Sequence, residues 1–414
     1  MVRETPSMIN VLGASSFAGL RVVEMSADPA GELAGKLLAQ LGADVVKVEP
    51  PGGSPTRAMG PFVNGHRDLD HSLTFWFYNG DKRSVVLDHE QSDDRATLDG
   101  LLANADIFVN TFSPRDYEAT SLGYEALREI NDRLIVLAVT PFGLDGPWAH
   151  YQTSDLVGLA AGGMLFSSGY DDHSIPPIRP GGNQGYHVPA NFALIGALLA
   201  LIERERTGQG QLVDVSMHDT LAVSPELANP FWFYPKVLVQ RQTCRHAQPV
   251  PTQPALFETS DGRFVYFALI LADPKPWAGL VEWLDSKGMA ADLGDPEYSD
   301  LAHRQQQFDH ISGIVEVFFL LNDAATLYHE GQERGLPVGP INALEDLFED
   351  EHLQARGYFH EVEHADVPPA KYPSFPIRFS GIETPEERRA PNLGEHTVEV
   401  LADWASAPDS EVST

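Results

Sequence analysis

Two side chains that can hold or move a proton stand next to each other in the segment NQGYHVPANFALIG, residues 183–196. Tyr186 carries a phenol, and His187 carries an imidazole whose ordinary pKa lies near neutral pH. Asp155, further upstream, is a third candidate for acid or base work. A histidine at the start of an apolar helix is more often a structural hydrogen-bonding group, and a tyrosine is more often a packing aromatic. The residues alone therefore leave both interpretations open.

Other motifs with a chemical meaning are weak. Asp171, Asp172 and His173 could form one corner of a metal site, but beside Ser, Ile and Pro they are more typical of a solvated turn. Cys244 is the one cysteine, which excludes an internal disulfide and a cysteine metal cluster. The sequence contains no phosphate-binding G-x-x-x-x-G-K-[ST] loop, no G-x-S-x-G elbow and no HExxH pair. We predict neither a metal site nor a permanently bound cofactor.

Charge and composition restrict the partners. The 414 residues carry 28 Lys and Arg against 59 Asp and Glu, a net charge of −31, and 43% of them are hydrophobic. A surface with this much negative charge repels phosphate backbones and anionic membranes. Neither nucleic acid nor a membrane is therefore expected as a partner. The N-terminal segment has no apolar stretch behind basic residues, and no run approaches the roughly 18 apolar residues of a membrane span. We predict a soluble, cytoplasmic protein.

The elements that would position these side chains alternate along the first 220 residues. Strands are predicted over 20–26, 44–51, 82–89, 106–112 and 133–143, with helices over 30–43, 97–105 and 124–131. Strand–helix–strand units of this kind join parallel strands. The pattern predicts an α/β lobe with a doubly wound parallel sheet.

The segment after His187 has the pattern of a helix that ends at Gly208 and Gly210, before the strand LVDVS (212–216). One stripe of apolar residues at helical spacing predicts that this helix is buried, and it consists of Phe192, Ile195, Leu198, Leu199 and Ile202.

The second half of the chain has a different composition, and the length of the chain favours two lobes. Residues 229–256 are rich in Pro, Gln and aromatic residues and predict a long connecting segment. Asp261 and Gly262 predict the turn of a hairpin over 258–270. The last 45 residues are Pro-rich and predict an extended segment. Helices are predicted near 275–287 and over 306–333.

Six blocks of sequence follow one another over nearly the full chain. They are LRVVEMSADPAGELAGKLLAQLGADVVKVEPPGG (20–53), NGDKRSVVLD (79–88), LGYEALREINDRLIVLAVTPFGLDGP (122–147), ALLALIERERTGQGQLVDVSMHD (197–219), GLPVGPINALEDLFEDEHLQARGYF (335–359) and APNLGEHTVEVL (390–401). In this order they resemble the family III CoA-transferases (the CaiB/BaiF family), the group of formyl-CoA transferase, carnitine CoA-transferase and α-methylacyl-CoA racemase.

The resemblance implies a fold and an assembly. A large Rossmann-like lobe would comprise residues 1–228 and be completed by 370–414, and linkers and a smaller α+β lobe would comprise 229–369. Two such chains would pass through one another as interlocked rings, so an intertwined dimer is expected, either a homodimer or a heterodimer with a homologous subunit.

The resemblance also implies a chemistry that this sequence does not fully match. In the family, an Asp just before the IGALLAL helix attacks the acyl-CoA thioester, and the mixed anhydride that forms conserves the energy of the thioester. That Asp should fall at Gly185 or Tyr186, but the sequence has no carboxylate from 173 to 202. A Gln that lies near the thioester in formyl-CoA transferase corresponds to Pro29, and a racemase His corresponds to Ser154, which makes racemase chemistry unexpected.

Several explanations remain for the missing carboxylate. In the favoured one, the chain is a transferase subunit without the nucleophile, paired with an Asp-bearing homologue. In the second, Tyr186, His187 or Asp155 performs acid/base work in a stand-alone acyl-CoA lyase or isomerase. In the third, a loop insertion makes Asp171 or Asp172 the nucleophile. A non-enzymatic acyl-CoA-binding protein would differ from all three by binding CoA without turnover.

The substrates implied by the resemblance are coenzyme A, as an acyl-CoA, and a carboxylic acid acceptor. By correspondence with the nucleotide-contacting strands of the family, the residues expected to bind CoA are Leu87, Asp88, Asn110, Thr111 and, nearby, Arg115.

Overall fold

The structure, a computed structural model, describes residues 17–225, 227–269, 271–364, 367–381 and 387–405. The strands are β1 (Arg21–Met25), β2 (Asp44–Glu49), β3 (Arg83–Val86), β4 (Ile107–Asn110), β5 (Ile135–Thr140), β6 (Leu212–Ser216), β7 (Gln240–Gln242), β8 (Arg245–Gln248), β9 (Leu256–Glu258), β10 (Phe264–Phe267), β11 (Val338–Pro340), β12 (Phe359–Val362) and β13 (Ala370–Pro373). The helices are α1 (Pro29–Gln40), α2 (Leu73–Asn79), α3 (Ser92–Ala103), α4 (Pro114–Thr120), α5 (Tyr124–Ile130), α6 (Asp155–Ala161), α7 (Gln184–Thr207), α8 (Met217–Val223), α9 (Ala228–Phe233), α10 (Pro274–Ser286), α11 (Leu301–Gln306), α12 (Phe308–Leu320), α13 (Ala324–Glu333), α14 (Glu351–Ala355) and α15 (Thr397–Ala405).

The central sheet contains six parallel strands in the order β3-β2-β1-β4-β5-β6. Strand order reverses between β1 and β4, as in a doubly wound α/β sheet. The predicted fold class is therefore confirmed, and the five strands predicted before residue 150 correspond to β1 to β5 with shorter ends.

Burial on both faces explains why these strands are continuous apolar runs. Val22 and Val23 point to opposite faces of β1, and both are fully buried.

The connection that follows is also determined locally. Asp28 caps the N-terminus of α1, and Gly42, with a φ of 100° that favours glycine, ends the turn into β2.

Helices cover both faces of the sheet. α1 and α7 enclose one core with the strands, and α3, α5 and α15 enclose the other. α15 carries the C-terminal part of the chain back to this sheet, where Arg83 on β3 forms ion pairs with Asp403 at 2.9 Å and Glu399 at 3.1 Å.

α7 presents a different face to the core from the predicted one. The large residues of the predicted buried stripe point outward, since Leu199 is 62% exposed and Ile202 is 60% exposed. The prediction of a buried stripe is therefore wrong. Small side chains let α7 approach α1 and the sheet closely, which leaves its bulky residues outside. The core-facing residues are instead Ala190, Ala193, Ala197 and Ala200.

The composition of α7 also bears on the question of membranes. With a mean hydropathy of 1.6, it is long and apolar enough to cross one by length and composition alone. One such helix is weak evidence for a membrane span, and α7 also packs against α1, α6, α8, β5 and β6.

A network of buried charges lies beneath α1. Lys47 on β2 pairs with Glu24 on β1 at 2.9 Å and with Glu32 on α1 at 2.8 Å, and all three side chains are fully buried. Lys82 pairs with the second oxygen of Glu24 at 2.7 Å. The network ties α1 to the first two strands. Gly35 is required here, because a Cβ at this position would overlap the Glu24 carboxylate.

The chain divides into two compact units. The first comprises Met1–Met164, Pro180–Ser224 and Gln354–Thr414, and the second comprises Leu165–Arg179 and Pro225–Leu353. Residues 165–179 thus belong to the second unit, whereas the expected lobes placed them in the first. Within the second unit, the Arg241 guanidinium donates to the Ile175 carbonyl at 2.6 Å and helps to hold this segment.

The second unit is built on a three-stranded antiparallel sheet in the order β11-β10-β9. The predicted hairpin with its turn at Gly262 is confirmed as β9–β10. The helical stretch predicted over 306–333 contains two helices, α12 and α13, because Asp323 caps the start of α13 by accepting a hydrogen bond from the Thr326 N–H. The predicted connecting segment is also more structured than expected, since it contains α9 and the β7–β8 hairpin.

Candidate active site

The carboxyl edge of the sheet is where the candidate residues of the first unit gather. In doubly wound folds, ligands bind in the crevice at this edge, at the point where the strand order reverses. Here that point lies between β1 and β4. Both α1 and α7, which pack against each other, begin on this side of the unit.

Asp28 stands at the reversal point, directly after β1. Its Oδ1 accepts hydrogen bonds from the backbone N–H groups of Ala30 at 2.9 Å and Gly31 at 3.3 Å, so it caps α1. Burial raises the pKa of this half-buried carboxyl to about 6, although the two backbone donors act in the opposite direction. Asp28 is thus a carboxylate that takes up a proton at mildly acidic pH.

The N-terminus of α1 approaches the ends of β1 and β4 closely. The Thr111 hydroxyl accepts a hydrogen bond from the Ala27 N–H at 2.9 Å. A Cβ at Gly31 would overlap the side chains of Ser26 and Thr111, so glycine is needed there. Within the described residues, the buried hydroxyl of Ser26 has no hydrogen-bond partner.

Asp155 fastens the first turn of α7. Its Oδ1 accepts a hydrogen bond from the Gly185 N–H at 2.7 Å. A Cβ on Gly185 would lie 2.7 Å from the Asp155 carbonyl oxygen and 2.9 Å from its Oδ1, distances that real side chains do not adopt. Position 185, one of the two at which the family nucleophile was expected, therefore has no space for a side chain.

Tyr186 occupies the other expected position and packs against the core shared with α1. Burial raises its pKa, and the negative charge of Asp28 acts in the same direction. Its phenol oxygen also accepts a hydrogen bond from the Asp155 backbone. The charges of both Asp28 and Asp155 therefore act on the Tyr186 phenol.

His187 is joined to a residue that is distant in sequence. Its Nε2 lies 2.9 Å from the hydroxyl oxygen of Tyr78 on α2, and the Asn183 amide donates to the same oxygen at 3.0 Å. Burial lowers the pKa of His187, so the ring is neutral at pH 7. A neutral imidazole bonded to a phenol can accept or relay a proton.

The residues expected to bind CoA lie along the same edge. Leu87 and Asp88 follow β3, and Leu87 is buried with its N–H bonded to the Glu49 carbonyl at 3.0 Å. Asn110 ends β4, and its Oδ1 accepts from the Tyr117 hydroxyl at 2.7 Å. Its buried Nδ2 has no partner among the described residues, so one donor of this amide remains available to a ligand.

Arg115 is exposed in the first turn of α4, close to the end of β4. The structure shows no ion pair to this guanidinium within the part of the chain that it describes. It is a cation available to an anionic ligand at an otherwise acidic surface.

Asp171 and Asp172, the alternative nucleophiles, do not belong to the first unit. Both belong to the second unit, where Asp171 forms an ion pair with Arg245 and Asp172 accepts from the Ser174 N–H at 2.9 Å in a local turn. In the described ranges, no group of three His, Cys, Asp or Glu side chains could hold a metal ion.

Sequence reasoning missed two members of the site. The Asp-Pro pair at 28–29, in front of an apolar helix, is a helix-start signal that could have identified Asp28 as a cap. Tyr78 left no such signal, because its connection to His187 is made only by the fold.

The chain is similar to known proteins over nearly its full length. The model of CoA-transferase family III matches residues 17–397. The succinyl-CoA:(R)-benzylsuccinate CoA-transferase subunit BbsE of Thauera aromatica is 32% identical over 94% of both chains. The succinyl-CoA:mesaconate CoA-transferase of Haloarcula marismortui is 31% identical over 92% of this chain and 94% of its own. A CaiB/BaiF family protein of Brucella suis superposes with a TM-score of 0.80 and 27% identity, covering 95% of this chain and 100% of the other.

Proposed function

This chain belongs to CoA-transferase family III and is an enzyme of the transferase class; from that premise we propose that it is a subunit lacking the Asp nucleophile and that it works with a homologous, Asp-bearing chain. The pair transfers CoA between an acyl-CoA thioester and a carboxylic acid.

The observation that carries the proposal is the start of α7. Gly185 has no space for a side chain, and Tyr186 fills the neighbouring position. Two carboxylates have charges that act on Tyr186, those of Asp28 and Asp155. Both already accept hydrogen bonds from backbone N–H groups. A carboxylate that accepts such hydrogen bonds is a poorer nucleophile than an uncommitted one, because the attack has to break them.

The chemistry then takes place on the carboxylate of the partner chain. That carboxylate attacks the carbonyl carbon of the thioester, the C–S bond breaks, and CoA leaves as a thiolate. The carboxylate of the acceptor acid then attacks the enzyme's carboxyl carbon in the mixed anhydride, the bond from that carbon to the donor's oxygen breaks, and the donor acid leaves as a carboxylate. The thiolate attacks the acyl carbon of the acceptor, which forms the new thioester and releases the carboxylate of the enzyme.

Two observations support a partner of the same kind. The outer face of α7 exposes Phe192, Ile195, Leu199 and Ile202, an apolar surface of the type that subunits cover in an assembly. BbsE is named as a subunit, and a succinyl-CoA–L-malate CoA-transferase of Chloroflexus aurantiacus has relatives of this chain as its alpha and beta subunits.

For CoA itself, we propose a site on Leu87, Asp88, Asn110, Thr111 and Arg115. Among the residues that the structure describes, the Nδ2 of Asn110 has no hydrogen-bond partner and the guanidinium of Arg115 has no ion pair, and both features support this site. Both are donors at the carboxyl edge of the sheet, where the diphosphate and the adenosine phosphate of CoA need them.

The test is a hydroxylamine trap on the chain alone and on the chain with whichever homologue co-purifies. Hydroxylamine converts an acyl–carboxylate anhydride into a hydroxamate on the protein, which mass spectrometry locates. We expect adducts only on the partner, and none when the corresponding Asp of the partner is changed to Asn. An adduct on an Asp or Glu of this chain would contradict the proposal.

A second candidate, a stand-alone acyl-CoA lyase or isomerase, is favoured by one observation, the Tyr78–His187 contact. If it holds, the chain alone should exchange an acyl-CoA Cα–H with deuterium from solvent. Tyr78→Phe should then slow the exchange by about 10²- to 10⁴-fold, the usual contribution of one acid/base group. Under the paired function, the chain alone shows no exchange.

A further inference from the structure

Four aromatic rings form an exposed cluster in the first unit. Trp148 and Tyr151 stack with their centroids 6.2 Å apart and an interplanar angle of 17°, and Phe142 meets both edge-on at 6.0 and 6.1 Å. His218 lies against Phe142 at 5.6 Å and Trp148 at 5.5 Å. Although the rings support one another, Trp148 remains 46% exposed and Tyr151 57% exposed. A rigid aromatic surface of this kind is open to a ligand.

The cluster lies at the functional edge of the sheet. Phe142 follows the end of β5, and His218 stands in the first turn of α8, directly after β6, with its N–H bonded to the Pro141 carbonyl at 3.0 Å. Tyr151 precedes Asp155, the residue that fastens α7, by a stretch that spans at most about 14 Å when extended.

The strand order places the cluster next to the sites already described along this edge. The residues proposed for CoA follow β3 and β4, Tyr186 and Asp28 mark the reversal point beside β1, and the aromatic cluster follows β5 and β6. Neighbouring strands lie about 4.8 Å apart. β4 and β5 are neighbours, so an acyl group held at the end of β4, where Asn110 and Thr111 lie, reaches the residues that follow β5 within the length of a small aromatic acid.

We propose that the cluster of Phe142, Trp148, Tyr151 and His218 is the acyl-group subsite and that it selects an acyl-CoA with a flat, aromatic end. This inference rests on the proposed function, since it requires acyl-CoA at this edge. Aromatic faces favour stacked or edge-on contact with another ring, whereas a short aliphatic acyl group would leave the exposed faces of Trp148 and Tyr151 in water.

The test measures dissociation constants of benzoyl-CoA, acetyl-CoA and free CoA for the full chain, together with any co-purifying homologue. We expect benzoyl-CoA to bind about tenfold more tightly than acetyl-CoA, in line with the contribution of one stacking contact. Trp148→Ala and Tyr151→Ala should each reduce this ratio to about twofold and leave the affinity for free CoA unchanged. Trp232→Ala is the matched control, because Trp232 is 50% exposed in the second unit, outside the cluster.

Each result bears on the proposal. Equal affinities for the two thioesters in the wild type, with free CoA still bound, would overturn the acyl-group inference and leave the proposed function standing. A preference for benzoyl-CoA over acetyl-CoA that survives both cluster substitutions would also overturn it. The same holds if the substitutions dissociate the assembly but the ratio of the two dissociation constants stays unchanged. Failure of the wild type to bind any of the three ligands would overturn the inference together with the CoA site on which it rests.

Discussion

The backbone N–H of Gly185 donates to the carboxylate of Asp155 at 2.7 Å, and the same aspartate occupies the space that a side chain at position 185 would need. One contact therefore both fastens the start of α7 and excludes a nucleophile from one of the two positions that the family pattern allows. Of the two positions expected for the nucleophile, 185 and 186, only the second has room for a side chain, and Tyr186 occupies it.

This relationship predicts that Gly185→Ala destabilises the protein. The added methyl would meet the Asp155 backbone, which cannot rotate away, and overpacking of this kind costs about 1–3 kcal/mol. Thermal unfolding should show a lower Tm for the variant. Gly181→Ala is the matched control, since a Cβ there meets nothing within 4 Å. Equal melting temperatures for the two variants would contradict the close contact between Gly185 and Asp155 at the start of α7.

Asp28 should make stability depend on pH. Its pKa in the folded protein is raised to about 6 from its ordinary value of 3.8, so the folded state binds more protons than the unfolded state between these values. The contribution of Asp28 to the free energy of unfolding is therefore fully present below about pH 4, falls as the pH rises through 6, and is constant above.

Asp28→Asn tests this dependence, because asparagine caps helices as well as aspartate does. Urea unfolding from pH 4 to pH 7.5 should show the variant gaining stability relative to the wild type as the pH rises through the window. Parallel curves for the two proteins would mean that Asp28 is not perturbed by burial.

Lys47→Met should be among the most destabilising single substitutions. It leaves the buried carboxylates of Glu24 and Glu32 without this cation, and breaking such a buried pair typically costs about 3–5 kcal/mol. Denaturant unfolding measures the loss. Arg206→Ala is the control, because Arg206 pairs with Glu203 on the surface and its removal should have little effect. A Lys47→Met protein as stable as the control variant would contradict the network.

Arg115→Ala should weaken CoA binding without affecting the fold. Loss of a charge-assisted contact to a phosphate should raise the Kd about tenfold. The increase should be smaller at high salt, because the contact is exposed and salt screens it. Isothermal titration with CoA at two salt concentrations measures it. Arg128→Ala removes a comparable exposed charge on α5, which pairs with Glu125, and should leave the Kd unchanged. Identical behaviour of the two variants would remove Arg115 from the site.

Much of the fold could be read from the sequence because its signals are local. The alternation of apolar strands and helices identified the doubly wound sheet, and the order of the six blocks identified the family. The lack of a carboxylate between 173 and 202 was also plain from the residues. Such features depend on neighbours a few positions apart, where the periods of strand and helix are fixed by backbone geometry.

The tertiary structure decided which side chains meet and which face is covered. Nothing local could show that the alanine face of α7, rather than its Leu and Ile face, packs on α1, because that choice depends on how closely two helices distant in sequence can approach. The pairing of Tyr78 with His187 and the exclusion of a side chain at Gly185 arise in the same way. Hydrogen bonds and steric limits of this kind act between atoms that only the folded chain brings within about 3 Å of each other.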